Sequence, residues 1–390
     1  MQQTEHNPYR ASAALLFLLT GLFWFSQYTT APYLNPEMKL MGATPAFMGL
    51  VAGVYGFTQL VVRIPIGIMA DRMGRQKPFI VMGCLMAVIS AAGMLLYYHS
   101  NGFFIFRGIA GIGSGSWVSF TVLYGSYYPT QEAPRRISQL SNANHMGRLI
   151  CFVVMGALVT WYAIKAAFWA GLVTAVIALV MSLFIREVPR KRAPMNIRHF
   201  LTVARDENLK ATSILGALIQ VISFGTFYTF TVNLAVELNA TPAELSFLNI
   251  ALMLPLVIAN LVATKWLFSR IGARMIITLG FLMAALYCML APLAANMTQL
   301  FLVQALAGIG FSFTFSILLG QCVRTVTPDM RSVGMGLFQA VYGVGMTIGP
   351  VLMGYLIRSS GLKNSYFVMA AVSLLSAWLA YRLLKEPKPA

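Results

Sequence analysis

The sequence predicts an all-α membrane protein with twelve transmembrane helices, arranged as two six-helix bundles related by pseudo-two-fold symmetry. Three observations support this fold class. Hydrophobic residues make up 58% of the 390 residues and charged residues only 10%, which lies far outside the composition of soluble globular proteins. The chain contains twelve apolar runs, and short motifs of its first half return about 197 residues later.

Each apolar run is close to the roughly 20 residues that a helix needs to cross the hydrocarbon core of a bilayer. We name them spans 1 to 12, and they cover residues 11–34, 45–70, 78–98, 103–128, 137–160, 165–185, 211–236, 243–268, 275–295, 299–323, 333–357 and 365–384. Span 1 is too long for a signal peptide and lacks a small-residue cleavage pattern, so we expect a retained helix. An even number of spans then places both termini on one side.

The charge distribution fixes the expected orientation. The 28 Lys and Arg residues against 11 Asp and Glu residues would favour nucleic-acid binding in a soluble protein. With a cytoplasmic N-terminus, however, 21 of the 28 basic residues fall on the cytoplasmic side, in loops, termini or the inner ends of spans. This positive-inside pattern is a topology signal, so we expect no nucleic-acid partner. We predict a multi-pass protein of the cell (inner) membrane with both termini in the cytoplasm.

The longest polar stretch, residues 186–210, predicts a cytoplasmic linker between a bundle at 1–185 and a bundle at 211–390. Motifs repeat across this linker: Ala110-Gly111-Ile112-Gly113 in span 4 returns as Ala307-Gly308-Ile309-Gly310 in span 10. Asp71-Arg72-Met73-Gly74 after span 2 likewise corresponds to Ser269-Arg270-Ile271-Gly272 after span 8. Because six spans return the chain to the same side, these repeats predict a tandem duplication in parallel orientation.

The loop between spans 2 and 3 resembles the motif G-x-L-A-D-R-x-G-R-[RK]-x of the major facilitator superfamily. The matching stretch runs from Gly67 to Lys77. Arg107, with the glycines at 111, 113 and 115, is similar to the span 4 motif of that family. The glycines at 345, 349 and 354 with Pro350 are similar to the glycine-proline motif of its antiporters, although here the motif lies in span 11 and not in span 5. The resemblance covers essentially the whole chain and is nearest to the twelve-helix drug and small-solute transporters.

The resemblance implies alternating access to a cavity lined by spans 1, 4, 7 and 10. Asp71 would stabilise one closed state by accepting hydrogen bonds from the N-terminal end of span 11, and Gly67 would let span 2 approach a neighbouring helix closely. The predicted gating or coupling residues are Gly67, Asp71, Arg72, Gly74, Arg75, Arg107, Gly349 and Pro350. A loop that is basic only for topology, and glycines and a proline that serve only packing, remain the alternatives.

Three arginines lie inside spans, where a charge is costly and seldom faces lipid. They are Arg63 in span 2, Arg107 in span 4 and Arg148 near the middle of span 5. Gln59 is about one helical turn from Arg63, and His145 is about one turn from Arg148, so each pair shares a helix face. The predicted substrate-binding residues are Arg63, Arg148, His145, Gln27, Tyr28, Gln59, Trp117, Tyr124, Phe224 and Tyr228. Structural arginines, a hydrogen-bonded core histidine and aromatic packing are the alternatives.

All eleven acidic residues lie in loops or at span ends, so the sequence predicts no carboxylate at the membrane midplane. Proton-coupled exporters of cationic drugs commonly use an embedded Asp or Glu, whereas arginine pairs with carboxylate or phosphate. We therefore predict a proton-coupled secondary transporter of a small organic solute that is anionic or amphipathic. Proton-antiport efflux of cationic or lipophilic drugs is the alternative.

The sequence does not predict an enzyme. It contains no GxSxG, HExxH or P-loop motif, and the glycines of span 4 suit helix packing better than phosphate binding. The four histidines and four cysteines have no metal-ligand spacing. We expect no cofactor and no metal, and a monomer whose partners are a small-molecule substrate, protons and the lipid bilayer.

Overall fold

The computed structural model describes residues 9–129, 132–188, 203–322, 324–326 and 330–384. These residues form helices and turns, and no β-strand occurs among them. Internal contacts divide the chain into two compact units. The first unit comprises Met1–Ala31 and Thr58–Pro194, and the second comprises Pro32–Phe57 and Met195–Ala390. Most of the predicted linker 186–210, and Asp329, lie outside the described residues.

The first unit is built from the helices of the N-terminal half. It contains α1 (Arg10–Tyr28), the second part of α3 (Pro45–Met73), α4 (Lys77–Leu96), α5 (Ser100–Gly115), α6 (Trp117–Ser126), α7 (Ala133–Tyr162) and α8 (Lys165–Phe184). Its core holds the buried rings of Phe23, Phe103, Phe120 and Phe168.

The second unit combines the C-terminal helices with a short segment from the first half. It contains α2 (Leu34–Leu40), the first part of α3, α9 (Glu207–Gly225), α10 (Thr231–Glu237), α11 (Pro242–Val262), α12 (Phe268–Leu290), α13 (Met297–Phe311), α14 (Ile317–Gln321), α15 (Arg331–Ser360) and α16 (Leu362–Leu383). Two π-helical turns, Ala263–Leu267 and Ser312–Ser316, join α11 to α12 and α13 to α14.

The prediction of a twelve-helix membrane fold is confirmed, with corrections at three spans. Ten helical segments of the described chain are long and apolar enough to cross a membrane, and they match every predicted span except 4 and 7. Span 4 is present as α5 and α6, which part at Ser116, and span 7 is present as α9 and α10. Span 1 was predicted to reach residue 34, but its helix ends at Tyr28 and a separate helix begins at Leu34.

Hydroxyl side chains satisfy the backbone at each of these helix breaks. Thr29 donates a hydrogen bond to the carbonyl of Ser26 at 3.2 Å, Ser116 donates to that of Gly113 at 2.7 Å, and Thr226 donates to that of Ile222 at 2.7 Å. A helix that ends inside a membrane leaves carbonyl groups without partners, and neighbouring Ser or Thr hydroxyls can bond them. The carbonyls of Gly113 and Ile222 also accept the backbone N–H groups of Ser116 at 3.1 Å and Thr226 at 2.9 Å, so the hydroxyls add a second hydrogen bond at these two breaks.

The secondary structure supports the predicted tandem duplication. Helices α1, α2 and α3 begin at residues 10, 34 and 45, and α9, α10 and α11 begin at residues 207, 231 and 242, always 197 residues later. The pairs α5 with α13 and α8 with α16 keep the same offset. The sequence Ala-Thr-Pro-Ala at 43–46 also returns at 240–243, at the start of α3 and α11.

Glycines allow direct backbone contact between helices at matching places in both units. A Cβ on Gly113 of α5 would lie 2.9 Å from the carbonyl oxygen of Gly83 in α4. The same contact returns in the second unit, where a Cβ on Gly310 would lie 2.8 Å from the carbonyl oxygen of Gly280. The motif repeated in spans 4 and 10 therefore serves helix packing.

Within the second unit, the first part of α3 packs against α15 through a row of glycines. A Cβ on Gly49 would overlap the carbonyl oxygen of Pro350, and one on Gly53 would lie 2.8 Å from that of Thr347. Further along, Gly354 of α15 meets the backbone of Pro45 and Ala46. This contact explains why residues 45–57 group with C-terminal helices.

We expect Gly49→Ala to lower the stability of the protein by about 1–3 kcal/mol, because the added methyl group forces α3 and α15 apart. Gly336→Ala is the matched control, since no atom of the described residues lies within 4 Å of its Cβ position on α15. The measurement is thermal unfolding of both purified variants in detergent. Equal unfolding temperatures for the two variants would contradict the close backbone contact.

Candidate functional site

A cation–π contact joins two of the predicted substrate-binding residues in the first unit. The guanidinium carbon of Arg148, on α7, lies 4.1 Å from the ring centroid of Tyr28, the last residue of α1. Phe152, one turn beyond Arg148, places its ring edge-on to Tyr28 at 6.1 Å. The stack holds the cation against an aromatic face inside the apolar part of α7.

Trp24 links this stack to Trp117. Trp24 lies one turn before Tyr28 on α1, with ring centroids 6.2 Å apart. Its ring meets Trp117, the first residue of α6, at 5.7 Å in an edge-to-face arrangement. The structure therefore brings Tyr28, Trp117 and Arg148 into one group of contacts, and Trp24 is the member that connects them. We name Trp24, Tyr28, Trp117 and Arg148 the aromatic–arginine cluster.

Several buried polar atoms in the first unit have no hydrogen-bond partner among the described residues. They are Nε1 of Trp24, Nε2 of Gln27, Oε1 of Gln59, Oδ1 of Asn144 and Nδ1 of His145. A buried polar atom without a partner costs about 1–3 kcal/mol, so such atoms mark places where water or a ligand completes the structure. Asn144 was missed by the sequence analysis, although it precedes Arg148 by one helical turn.

Tyr124 belongs to the same apolar core as Trp24, and Tyr28 and Trp117 pack against that core. Tyr124 pairs with Tyr128, with ring centroids at 5.4 Å. Arg63 is half-buried on α3, and that helix continues to Met73, so the arginine lies further from the helix end than span 2 predicted. Gln27 and Arg107 line one small cavity together.

In the second unit, Phe224 and Tyr228 belong to an aromatic group around the break between α9 and α10. Tyr228 contacts Phe224 at 5.2 Å, Phe227 at 4.9 Å and Phe311 of α13 at 5.8 Å between ring centroids. Gln304 of α13 donates its amide to the carbonyl of Phe227 at 3.4 Å, and its own side-chain oxygen has no partner among the described residues. This group is apolar and aromatic, with neutral polar atoms at one side.

The loop after α3 has a backbone geometry that requires a glycine. Gly74 has φ +62°, its N–H donates to the carbonyl of Asp71 at 3.3 Å, and the N–H of Arg75 donates to that of Ala70 at 3.2 Å. These two bonds form a Schellman motif, in which the left-handed residue is usually glycine. Gly272, at the equivalent place in the second half, has φ +74°. The role of Gly74 is thus to end the helix.

Asp71 and the two arginines of this loop have different surroundings. Asp71 is half-buried and lines a small cavity with Gln76 and Ser126, whereas Arg72 and Arg75 are exposed. Asp71 makes no ion pair within 4.0 Å among the described residues. Whether Asp71 meets span 11 stays a prediction.

Glu187 is a residue of this region that the sequence analysis missed. One of its carboxylate oxygens accepts hydrogen bonds from the backbone N–H groups of Gln76 at 2.9 Å and Lys77 at 2.7 Å. It therefore caps the N-terminus of α4, where a negative charge also meets the positive end of the helix dipole. The Lys77 ammonium donates to the carbonyl of Leu183 at 2.7 Å, at the end of α8. No sequence pattern links residues 76 and 187, so only the fold reveals the cap.

The predicted glycines and the proline differ in how closely a neighbouring helix approaches them. The expected close approach at Gly67 is wrong for this structure, because no atom of the described residues lies within 4 Å of its Cβ position. Gly349 does make a close approach, since a Cβ there would lie 2.5 Å from the carbonyl oxygen of Val221 on α9. Pro350 lies inside α15, and its carbonyl faces Gly49 of α3.

Comparison with known proteins identifies relatives along the whole chain. The family model of the Major Facilitator Superfamily matches residues 16–230 and 212–390. An uncharacterized MFS-type transporter of Methanocaldococcus jannaschii is 24% identical over 379 residues, which cover 92% of this chain and 96% of that protein. The multidrug resistance protein MdtG of Rahnella sp. is 24% identical over 380 residues, covering 91% of this chain and 89% of that protein.

Solved structures share the fold at lower sequence identity. A mutant of the nucleoside transporter NupG superimposes with a TM-score of 0.82 at 15% identity, covering 96% of this chain and all of the other. At this identity the likeness concerns the fold alone.

We expect a double-mutant cycle between Tyr28→Leu and Arg148→Met to give a coupling energy of about 0.5–2 kcal/mol, because each change removes the same cation–π contact. Tyr28→Phe is the control, since its ring face remains and the coupling should persist. The measurement is thermal unfolding of the purified variants in detergent. Additive effects of Tyr28→Leu and Arg148→Met would show that the two side chains do not interact.

Proposed function

Because this chain belongs to the major facilitator superfamily and is a membrane transporter, we propose that it moves a small anionic or amphipathic organic solute by proton-coupled alternating access. The observation that carries this proposal is the aromatic–arginine cluster. In this cluster the Arg148 cation lies over the ring of Tyr28, within the membrane-spanning part of α7. We also propose that the protein acts as a monomer in the cell (inner) membrane with both termini in the cytoplasm.

The charge balance of the spans supports an anionic group on the substrate. The embedded cations of the sequence are Arg63, Arg107 and Arg148, and no acid accompanies them inside a span. A buried cation must be solvated by water, by protein dipoles or by an anion. A guanidinium binds a carboxylate through two parallel hydrogen bonds, which adds both affinity and orientation. The flat rings of Tyr28 and Trp117 would contact the apolar part of the same solute.

Efflux of cationic or lipophilic drugs is the second candidate. MdtG, which matches most of this chain, is named a multidrug resistance protein. The aromatic group around Tyr228 and Phe311 could stack on flat apolar molecules without any charge requirement. A cationic drug would be repelled by Arg148 and would gain no embedded carboxylate. The two candidates therefore differ in the sign of the charge that binding requires.

Gating is proposed for the loop after α3. The Schellman motif at Gly74 and the cap from Glu187 fix the direction of the chain between α3 and α4. Asp71 lies in the last turn of α3, and its carboxylate has no ion-pair partner among the described residues. In the proposed gate, the carboxylate of Asp71 forms a contact in one conformation of the transporter and loses that contact in the other. Such a contact stabilises the first conformation relative to the second.

Substrate charge can be tested with one ligand scaffold prepared as acid, amide and amine. We expect the acid to bind the wild-type protein best, and Arg148→Ala to weaken that binding by about tenfold or more, since a charge-assisted contact contributes about 1.5–3 kcal/mol. Arg148→Lys should give an intermediate loss, because the planar fork is removed while the charge stays. The measurement is the ligand-dependent shift of thermal unfolding.

Arg358→Ala serves as the control for this series, since Arg358 is exposed at the far end of α15. Best binding of the amine, with no change in Arg148→Ala, would refute the anionic substrate and favour the efflux of cationic drugs.

Proton coupling can be tested at His145, whose buried Nδ1 has no partner among the described residues. We expect His145→Gln to reduce uptake driven by a pH gradient into proteoliposomes while counterflow exchange continues, because exchange needs no net proton movement. The measurement compares both assays in the same vesicles. An unchanged response to the pH gradient would remove His145 from the coupling mechanism.

A further inference from the structure

A small cavity with both polar and apolar lining lies inside the first unit, among α1, α4, α5 and α8. Its lining includes the guanidinium-bearing Arg107, the amide of Gln27, the hydroxyls of Ser26, Thr29, Thr30 and Ser90, and the ring of Phe168. No Asp or Glu lines it. The free space suits an occupant of the size of one water molecule or one halide ion.

The hydrogen-bond donors around this cavity favour an anion as the occupant. Gln27 is only 6% exposed, and its Nε2 has no partner among the described residues. Arg107 adds a positive charge, and Thr30 places its side chain in the same lining. The hydroxyls of Ser26, Thr29 and Ser90 are already used, because each donates to a backbone carbonyl at 2.7–3.2 Å. The amide of Gln27 and the hydroxyl of Thr30 therefore line the cavity together with the positive charge of Arg107.

The equivalent position in the second unit is occupied by different residues. Adding the offset of 197 to Arg107, Gln27, Thr30 and Ser90 gives Gln304, Phe224, Phe227 and Tyr287. In the second unit Phe227 and Tyr287 pack edge-to-face at 5.7 Å, and Gln304 donates to the carbonyl of Phe227. The second unit thus closes this position with rings and a neutral amide, while the first unit keeps a cation, small side chains and an unpartnered amide.

From this geometry we propose that the cavity is a binding site for one small monovalent anion, of the chloride class, held by Arg107, Gln27 and Thr30. The anion balances the charge of Arg107 inside a membrane span, where charge is costly. It also supplies an acceptor for the buried amide of Gln27. The site belongs to one unit and does not depend on which solute the transporter carries.

The first test titrates sodium chloride against sodium gluconate at constant ionic strength and follows thermal unfolding of the full-length protein. Chloride is expected to raise the unfolding temperature in a saturable way, because an anion that binds only the folded state stabilises it. In Arg107→Gln the half-saturating chloride concentration should rise by about tenfold or more. Arg358→Gln, which removes an exposed arginine, should respond as the wild-type protein does.

Two further variants test the same proposal if Arg107→Gln does not fold. Gln27→Leu and Thr30→Val each remove one donor without changing the net charge, and each should weaken the chloride response. Sodium phosphate and sodium benzoate probe the size limit, and neither should stabilise the protein through Arg107. Bromide soaked into crystals should give an anomalous scattering peak between Arg107 and Gln27.

Three results would overturn the proposal. The first is an unfolding temperature that does not distinguish chloride from gluconate. The second is a chloride response that is equal in wild type, Arg107→Gln, Gln27→Leu and Thr30→Val, which would assign it to the protein surface. The third is a stronger Arg107-dependent response to benzoate or phosphate than to chloride, which would mean that the cavity takes a larger anion.

Discussion

Direct contact between helix backbones at glycine is the interaction on which both units depend. Apolar side chains gain little from leaving lipid for protein, so helices in a membrane associate through close van der Waals packing and hydrogen bonds. The pairs Gly83 with Gly113 and Gly280 with Gly310 show the same solution at equivalent places. Because these contacts are fixed by position in the repeat, the motif shared by spans 4 and 10 is retained while other residues of the two halves differ.

Helix α15 uses such contacts on two sides. Gly345 and Gly349 meet the backbone of α9 at Ala217 and Val221, whereas Pro350 and Gly354 meet the start of α3. The α3 contact joins backbone surfaces, and the side chains of Val351 and Met346 lie against Gly53 and Gly56. The close packing of residues 45–57 with C-terminal helices therefore depends on glycines on both sides of the contact.

The sequence was sufficient to predict the number and order of the spans, because hydropathy reports directly on burial in lipid. It could not locate the helix breaks after Tyr28, at Ser116 and after Gly225, because Ser and Thr hydroxyls bond the local carbonyls and the segments remain apolar. Arg148 was predictable as a charge in an apolar run. Its partner Tyr28, the buried Asn144 and the cap from Glu187 depend on helix rotation and on contacts distant in sequence, which periodicity does not specify.

The two halves share their backbone plan but not their embedded charges. Adding the repeat offset of 197 or 198 residues to Arg63, Arg107 and Arg148 gives Asn260, Gln304 and Met346, so none of these three arginines has a charged counterpart in the second half. Two of the three counterparts keep hydrogen-bonding capacity without charge. A charged residue in a span costs about 2.5–3.5 kcal/mol on insertion scales. Neutral residues fill the equivalent positions of the second half, so helix packing alone does not require a charge at these three positions. The duplicated scaffold therefore carries these three arginines in its first half only.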